Sequence, residues 1–117
     1  MKKINFYSYL KCSTCRKAAK WLDKKDFEYQ LIDIVNEPPL LDYLSLALEQ
    51  YSADKKKIFK TRGKAFKTLN LDINSLSKEE IIQLLLSDGK LIKRPFLIFG
   101  KKIILGFNEA EYSNQLL

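Results

Sequence analysis

The stretch Ile4-Asn5-Phe6-Tyr7-Ser8-Tyr9-Leu10 is apolar and aromatic and reads as a β-strand. From Ser13 to Lys25, the apolar residues Cys15, Ala18, Ala19 and Leu22 recur every three or four positions among lysines and Asp23, which predicts an amphipathic helix lying on that strand. After a turn at Lys25-Asp26, Phe27, Tyr29 and Leu31 alternate with polar residues and run on to Ile32-Asp33-Ile34, a second strand. Strand, helix, strand in about thirty residues is a βαβ unit, and right-handed crossover makes its two strands parallel.

Asn36-Glu37-Pro38-Pro39 stops the second strand and is suited to open a helix, since proline is tolerated in a first turn. Leu40, Leu41, Leu44, Ala47, Leu48 and Tyr51 then repeat at helical spacing. Ser52-Ala53-Asp54 breaks the pattern ahead of a lysine-rich segment with Ile58 and Phe59, and Gly63 precedes a short helical pattern holding Phe66 and Leu69. Ser77 with Glu80 three residues later is a capping box that opens a helix through Ile81 to Leu86, ended at Asp88-Gly89. Residues 37–88 therefore read as wholly helical. Phe96-Leu97-Ile98-Phe99, Gly100-Lys101 and Lys102-Ile103-Ile104-Leu105 then predict an antiparallel hairpin, and Asn108 caps a last helix through Ala110 and Tyr112. With no repeat and no low-complexity linker, the expectation is one α/β domain over 1–117, with its core in 1–36 and 89–117 and a helical insertion over 37–88.

A chain of 117 residues, 46% hydrophobic, with 4 Gly and 3 Pro, has the material for a single packed core. No apolar run approaches the ~18 residues of a membrane span, and Met1-Lys2-Lys3 leads into a run too short and polar for a signal peptide, so the expected location is cytoplasmic. The net charge of +7 comes from 21 Lys and Arg against 14 Asp and Glu. Its lysines are scattered, as at Lys24-Lys25, Lys55-Lys56-Lys57 and Lys101-Lys102, and no nucleic-acid-binding motif accompanies them, so a solvated basic surface is favoured over direct nucleic-acid binding.

Chemistry concentrates at Cys12-Ser13-Thr14-Cys15, the only two cysteines, spaced C-x-x-C between the first strand and the first helix. Unpaired backbone N–H groups and the helix dipole favour a thiolate at such a position. A cysteine of pKa ~8.5 is only roughly 3% thiolate at pH 7, so a lowered pKa decides its reactivity. The chain has no histidine, which removes Cys/His zinc sites, His-based triads and imidazole bases; a four-cysteine zinc site would need a second chain, and no metal is expected. Lys11, Ser13, Thr14, Arg16 and Lys17 look like an exposed helix start, against the alternative of two thiols inertly packed in a core.

Four segments taken in order, Lys11-Cys12-Ser13-Thr14-Cys15-Arg16-Lys17-Ala18, Thr61-Arg62-Gly63, Ser87-Asp88-Gly89-Lys90-Leu91-Ile92-Lys93-Arg94-Pro95 and Leu105-Gly106-Phe107-Asn108-Glu109, resemble the thioredoxin-like proteins of the arsenate reductase and Spx family. The resemblance covers essentially the whole chain. It implies a thioredoxin-like, glutaredoxin-like fold, with a small mixed sheet flanked by helices and an all-helical insertion. It implies that Pro95 is a cis-proline beside the reactive sulfur, that Cys12 is the nucleophile and that Cys15 is the resolving thiol which closes a redox disulfide with it. Arg94 would lower the thiol pKa and hold an oxyanion, and Arg62 matches a second family arginine for oxyanion binding.

Arsenate-reducing members carry a third arginine where this chain has Gly106-Phe107-Asn108, and commonly a serine where Cys15 stands. Lys101 or Lys102 offers charge there, without the bidentate fork. Spx-like regulators keep C-x-x-C as a redox switch and bind RNA polymerase, through its α subunit, by a helical segment corresponding to Glu49 through Asp54. That segment here lacks the expected basic residue and glycine. The chain looks most like the arsenate-reductase-related group with C-x-x-C and S-D-G-x-L-x-K-R-P. The resulting expectation is a cytoplasmic thiol-disulfide oxidoreductase acting on an oxidised thiol or small oxyanion. No cofactor would be bound, and glutathione or thioredoxin would be the electron donor. The alternatives are an Spx-like redox-sensing regulator and a scaffold with unused thiols.

Overall fold

A computed structural model describes residues 3–117; Met1 and Lys2 of the N-terminal segment discussed above lie outside the described residues. In chain order the elements are β1 (Ile4–Ser8), α1 (Ser13–Lys24), β2 (Tyr29–Asp33), α2 (Leu41–Gln50), α3 (Lys64–Leu69), α4 (Lys78–Ser87), β3 (Phe96–Phe99), β4 (Lys102–Leu105) and α5 (Glu109–Leu116). Short 3-10 turns at Lys55–Ile58 and Ile73–Ser75 connect the middle helices, and one at Gly89–Leu91 leads from α4 toward β3. The four strands form one sheet in the order β2-β1-β3-β4. β1 and β2 are parallel, while β1 with β3 and β3 with β4 are antiparallel. A mixed four-stranded sheet of this topology, flanked by helices, is the thioredoxin-like fold.

Successive strand residues point to opposite faces, so each apolar strand feeds two cores. Phe6, Leu97 and Ile104 join Ala18, Trp21 and Leu22 of α1 and Tyr112 and Leu116 of α5 on one face. Their neighbours Tyr7, Phe96, Ile98 and Ile103 join Leu44, Ala47, Leu48, Ile81 and Leu85 of the helical segment on the other. Each fully buried Leu, Ile or Phe contributes ~1.5–3 kcal/mol, so the continuous apolar runs are explained by a sheet covered on both sides.

Several boundaries differ from the sequence reading. Phe27 and Ile34 flank β2 rather than belonging to it. Phe27 stacks on Trp21, with ring centroids 5.8 Å apart, after a turn in which Asp26 has a φ of 61°. Pro38 and Pro39 do not sit in a helical first turn, because α2 begins after Leu40, whose extended backbone is its N-cap. The segment 37–88 is not wholly helical: Phe59 is extended and forms an antiparallel bridge with Ile92. The capping box is formed, with Ser77 N–H donating to Glu80 Oε1 at 2.9 Å and Glu80 N–H to Ser77 Oγ at 3.2 Å.

Two contacts lock the helical segment to the sheet. The Gln50 side chain accepts from Ile103 N–H at 3.0 Å and donates to Ile103 O at 3.2 Å, which satisfies the outer edge of β4 as a neighbouring strand would. At the end of α4, Gly89 runs so close to the end of β2 that a Cβ there would collide with Ile34 O. Among the described residues no helix is long and apolar enough to cross a membrane.

Candidate active site

β1 delivers the chain to Tyr9, and a turn closed by Cys12 N–H donating to Tyr9 O at 3.0 Å aims the next residues back along the sheet. Cys12 is the N-cap of α1, with an extended backbone (φ −94°, ψ 114°). Its Sγ accepts from the Cys15 backbone N–H at 3.4 Å, as a capping oxygen would. Arg16, one turn on, donates from Nη1 to Leu10 O at 2.7 Å and ties down the loop before the cysteine. Lys11, Ser13, Arg16 and Lys17 are exposed and Thr14 half-buried, but both sulfurs lie inside, with Cys12 7% and Cys15 1% exposed. The exposed helix start therefore belongs to the flanking residues alone, because the apolar stripe of α1 turns Cys15 inward with Ala18 and Leu22. Both cysteines are free.

The two thiols have opposite proton affinities. Burial alone would raise that of Cys12, but hydrogen bonds from the Cys15 side chain and backbone, and a hydrogen bond and charge from Arg94, bring it below the ordinary thiol range. Burial and the bond shared with Cys12 push Cys15 up to about 11, against weaker lowering by the Tyr9 backbone and the Ser8 hydroxyl. Of the two, Cys12 is the thiol that ionises first as pH rises.

Arg94 comes from the segment before β3. Phe96 is the register partner of Tyr7, so the start of β3 lies beside the end of β1 and the residues before it arrive at the cysteine loop. The Arg94–Pro95 peptide bond is cis, and Pro95 is buried. The guanidinium lies over the Tyr9 ring, 5.0 Å from its centroid, and donates from Nη1 to Lys90 O at 3.2 Å. Its Nε is buried without an acceptor.

Arg62 is exposed and reaches this end of the molecule, near enough to Lys93 to affect its proton affinity. Lys101 and Lys102 do not come to the site: Lys102 is paired with Phe99 and Phe99 with Ile4, at the opposite end of the sheet from Cys12. Phe107, in the segment where the family resemblance places a third arginine, turns into the core and meets Tyr112 edge-on at 4.8 Å. Tyr112 in turn donates to Gly106 O at 2.9 Å.

Sequence reasoning missed Lys93 and Lys60. The Phe59–Ile92 bridge brings them together: Lys60 N–H donates to Leu91 O at 2.7 Å and Lys93 N–H to Ile58 O at 2.8 Å. Lys93 is half-buried, and burial, followed by the charges of Lys60 and Arg62, lowers its proton affinity; Cys12 opposes this and Arg94 adds to it. The one local signal was adjacency to Arg94-Pro95. Ser8, which faces Cys15, had no sequence signal beyond its place at the end of β1.

The sequence model of the ArsC family matches residues 7–115. The chain belongs to the ArsC family. Within it, the chain is similar to YusI, an uncharacterized protein of Bacillus subtilis (strain 168), with 41% identity over 111 residues covering 93% of this chain and 94% of that one. It is also similar to the global transcriptional regulator Spx of Lactiplantibacillus plantarum, 34% identical over 108 residues, covering 92% of this chain and 82% of the relative. Among solved structures it is similar to a possible arsenate reductase from Streptococcus mutans UA159, with a TM-score of 0.89, 38% identity, and 99% and 100% of the two chains covered. For this ArsC-family chain, then, enzyme-named and regulator-named relatives share one scaffold.

Proposed function

We propose that this protein is a cytoplasmic thiol-disulfide oxidoreductase with Cys12 as nucleophile and Cys15 as resolving thiol. The observation that supports it best is the opposed proton affinity of two sulfurs one helical turn apart, with Arg94 beside the lowered one. The Cys12 thiolate attacks one sulfur of an oxidised thiol: an S–S bond forms to Cys12, the substrate's S–S bond breaks, and the departing thiolate takes up a proton. Cys15, giving up its proton, then attacks Cys12 Sγ. The substrate's second sulfur leaves as a thiolate and is protonated, and the enzyme is left with a Cys12–Cys15 disulfide. Two electrons have passed to substrate, and two equivalents of glutathione, or one reduced thioredoxin, return them. Arg94 steadies negative charge on the attacking and leaving sulfurs.

The high proton affinity of Cys15 suits the second role. It stays a thiol while Cys12 reacts, and its proton affinity falls when the negative charge on Cys12 disappears into the mixed disulfide. Turnover of a model disulfide with glutathione and, separately, thioredoxin as donor tests the reading. Activity is expected in the wild type, none in Cys12→Ser, and an accumulating mixed disulfide in Cys15→Ser. A wild type inactive with both donors overturns it.

Similarity to the Spx regulator favours a second reading, in which the same disulfide controls binding to the RNA polymerase α subunit. Here Gln50 and Tyr51 are engaged with Ile103 O, and Glu49 pairs with Lys78 at 3.6 Å, so much of the segment 49–54 is committed within the chain. Retention of the chain on immobilised α subunit in one redox state and not the other supports the regulator; no retention in either removes it.

A further inference from the structure

We propose that the outer edge of β2 is a docking site for an extended, basic segment of a partner protein, which adds to the sheet as a fifth strand. β2 ends the strand order β2-β1-β3-β4, so among the described residues only β1 pairs with it. Extended segments bind such edges through main-chain hydrogen bonds, with the side chains of alternate residues setting specificity.

The two edges of the sheet are treated differently. At β4 the Gln50 amide holds both backbone groups of Ile103, and the Tyr51 hydroxyl adds a bond to Ile103 O at 3.4 Å. No side chain covers β2 in this way. Ile34 N–H donates to Ser8 O at 3.0 Å, and backbone groups alternate in direction along a strand, so those of Ile32 and Gln30 also turn toward β1. The Leu31 N–H and C=O, the Tyr29 C=O and the Asp33 N–H therefore face outward, while Asp33 O is taken by Glu37 N–H at 2.8 Å. Free edges are ordinarily guarded by lysine, proline or a bulge, and Tyr29–Asp33 has none of these. Its middle residue is instead Leu31, 61% exposed and outside both cores.

Charge selects the occupant. Asp23, Asp26, Glu28, Asp33 and Glu37 are all exposed, against Lys24 and Lys25 in the same stretch, so this border is acidic in a chain of net charge +7. The Asp33 carboxylate is held at the end of the strand, where it accepts from Val35 N–H at 2.9 Å and Asn36 N–H at 3.3 Å. An acidic border favours a segment that carries lysine or arginine. It disfavours a second copy of this chain. Two-fold antiparallel pairing about Leu31 would set Asp33 of one copy opposite Tyr29 of the other, beside Glu28 and beside Asp23, to which the Tyr29 hydroxyl donates at 2.9 Å. Carboxylates gathered in that way oppose the pairing, and the cations of a basic segment relieve them.

A blocked hexapeptide of alternating lysine and valine, with a glutamate–valine counterpart as control, tests this by NMR on the isotopically labelled protein. At low salt the lysine peptide is expected to bind about tenfold tighter than its counterpart, to shift the amide signals of Tyr29 through Asp33 and to slow exchange of the Leu31 amide hydrogen. Salt at about 0.5 M should weaken it severalfold. Leu31→Pro removes an outward N–H without touching the ladder to β1 and should abolish binding. Leu31→Lys keeps the backbone intact, guards the edge with charge and should weaken binding about tenfold; Glu28→Gln should weaken it about twofold. Shifts centred elsewhere, equal affinity for the two peptides, no binding of either, or unchanged affinity in a folded Leu31 variant overturns the proposal. So does a wild-type dimer in sedimentation that Leu31→Lys disperses, because it assigns the edge to a second copy.

Discussion

Cys12 and Cys15 stand three residues apart in one helical turn, yet the protein holds their protons in opposite ways. Cys12 caps α1, receives a backbone N–H and faces Arg94; Cys15 is on the buried stripe of the same helix and meets Ser8 and the Tyr9 backbone. Burial raises the proton affinity of both and is the largest cause of the rise at Cys15. Donors and a cation outweigh it at Cys12, while the hydrogen bond shared with Cys12 adds to it at Cys15. Two thiols become useful in sequence when their surroundings differ.

The largest effect expected is loss of disulfide reduction in Cys12→Ser, on the order of a thousandfold in kcat/KM, measured with a chromogenic disulfide. Cys15→Ser should leave the first attack within about threefold of wild type while halting turnover, since only the resolving step is lost. A mixed disulfide that releases as fast in Cys15→Ser as in wild type would erase the distinction between the two thiols.

Arg94→Gln comes next: iodoacetamide reactivity of Cys12 at about pH 6.5 should drop about fivefold, with little change near pH 10, where the thiol is ionised in either protein. A drop of equal size at both pH values would assign Arg94 to structure alone.

The same asymmetry has a stability signature with a definite sign. Cys15, raised to about 11, favours the folded state while both states are protonated, and this contribution is lost as pH rises from an unfolded thiol pKa of ~8.5 through 11. Cys12, lowered, contributes stability above ~8.5 that is lost as pH falls through its folded pKa. In urea unfolding, Cys15→Ala should therefore lose less stability than wild type between about pH 8.5 and 10.5, whereas Cys12→Ala should lack the gain that wild type shows as pH rises toward ~8.5. The smallest effect is assigned to Ser8→Ala, which removes one donor to Cys15 and should slow disulfide closure about twofold.

Much of the scaffold was legible in the chain. The apolar runs around Phe6-Tyr7, Leu97-Ile98 and Ile103-Ile104, the spacing of Cys15, Ala18 and Leu22, the Ser77–Glu80 capping box and the Gly100 turn each act through neighbours a few residues away, and each appears where the pattern puts it. The strand bounds near Phe27 and Ile34 were less legible, since residues flanking a strand are as apolar as those within it when both pack on the same core.

By itself, then, the sequence determined the order of elements, the capping position of Cys12 and the presence of an arginine before a proline. Tertiary structure alone decided which charges reach the sulfur. Lys101 and Lys102 were excluded because the β3–β4 register places them at the far end of the sheet, and Lys60 and Lys93 were brought together by a bridge between Phe59 and Ile92, distant in the chain. Local patterns fix what a segment becomes because their interactions span one turn or one strand pair. The field at a buried thiol sums over groups from distant segments, and only the folded arrangement sets their distances.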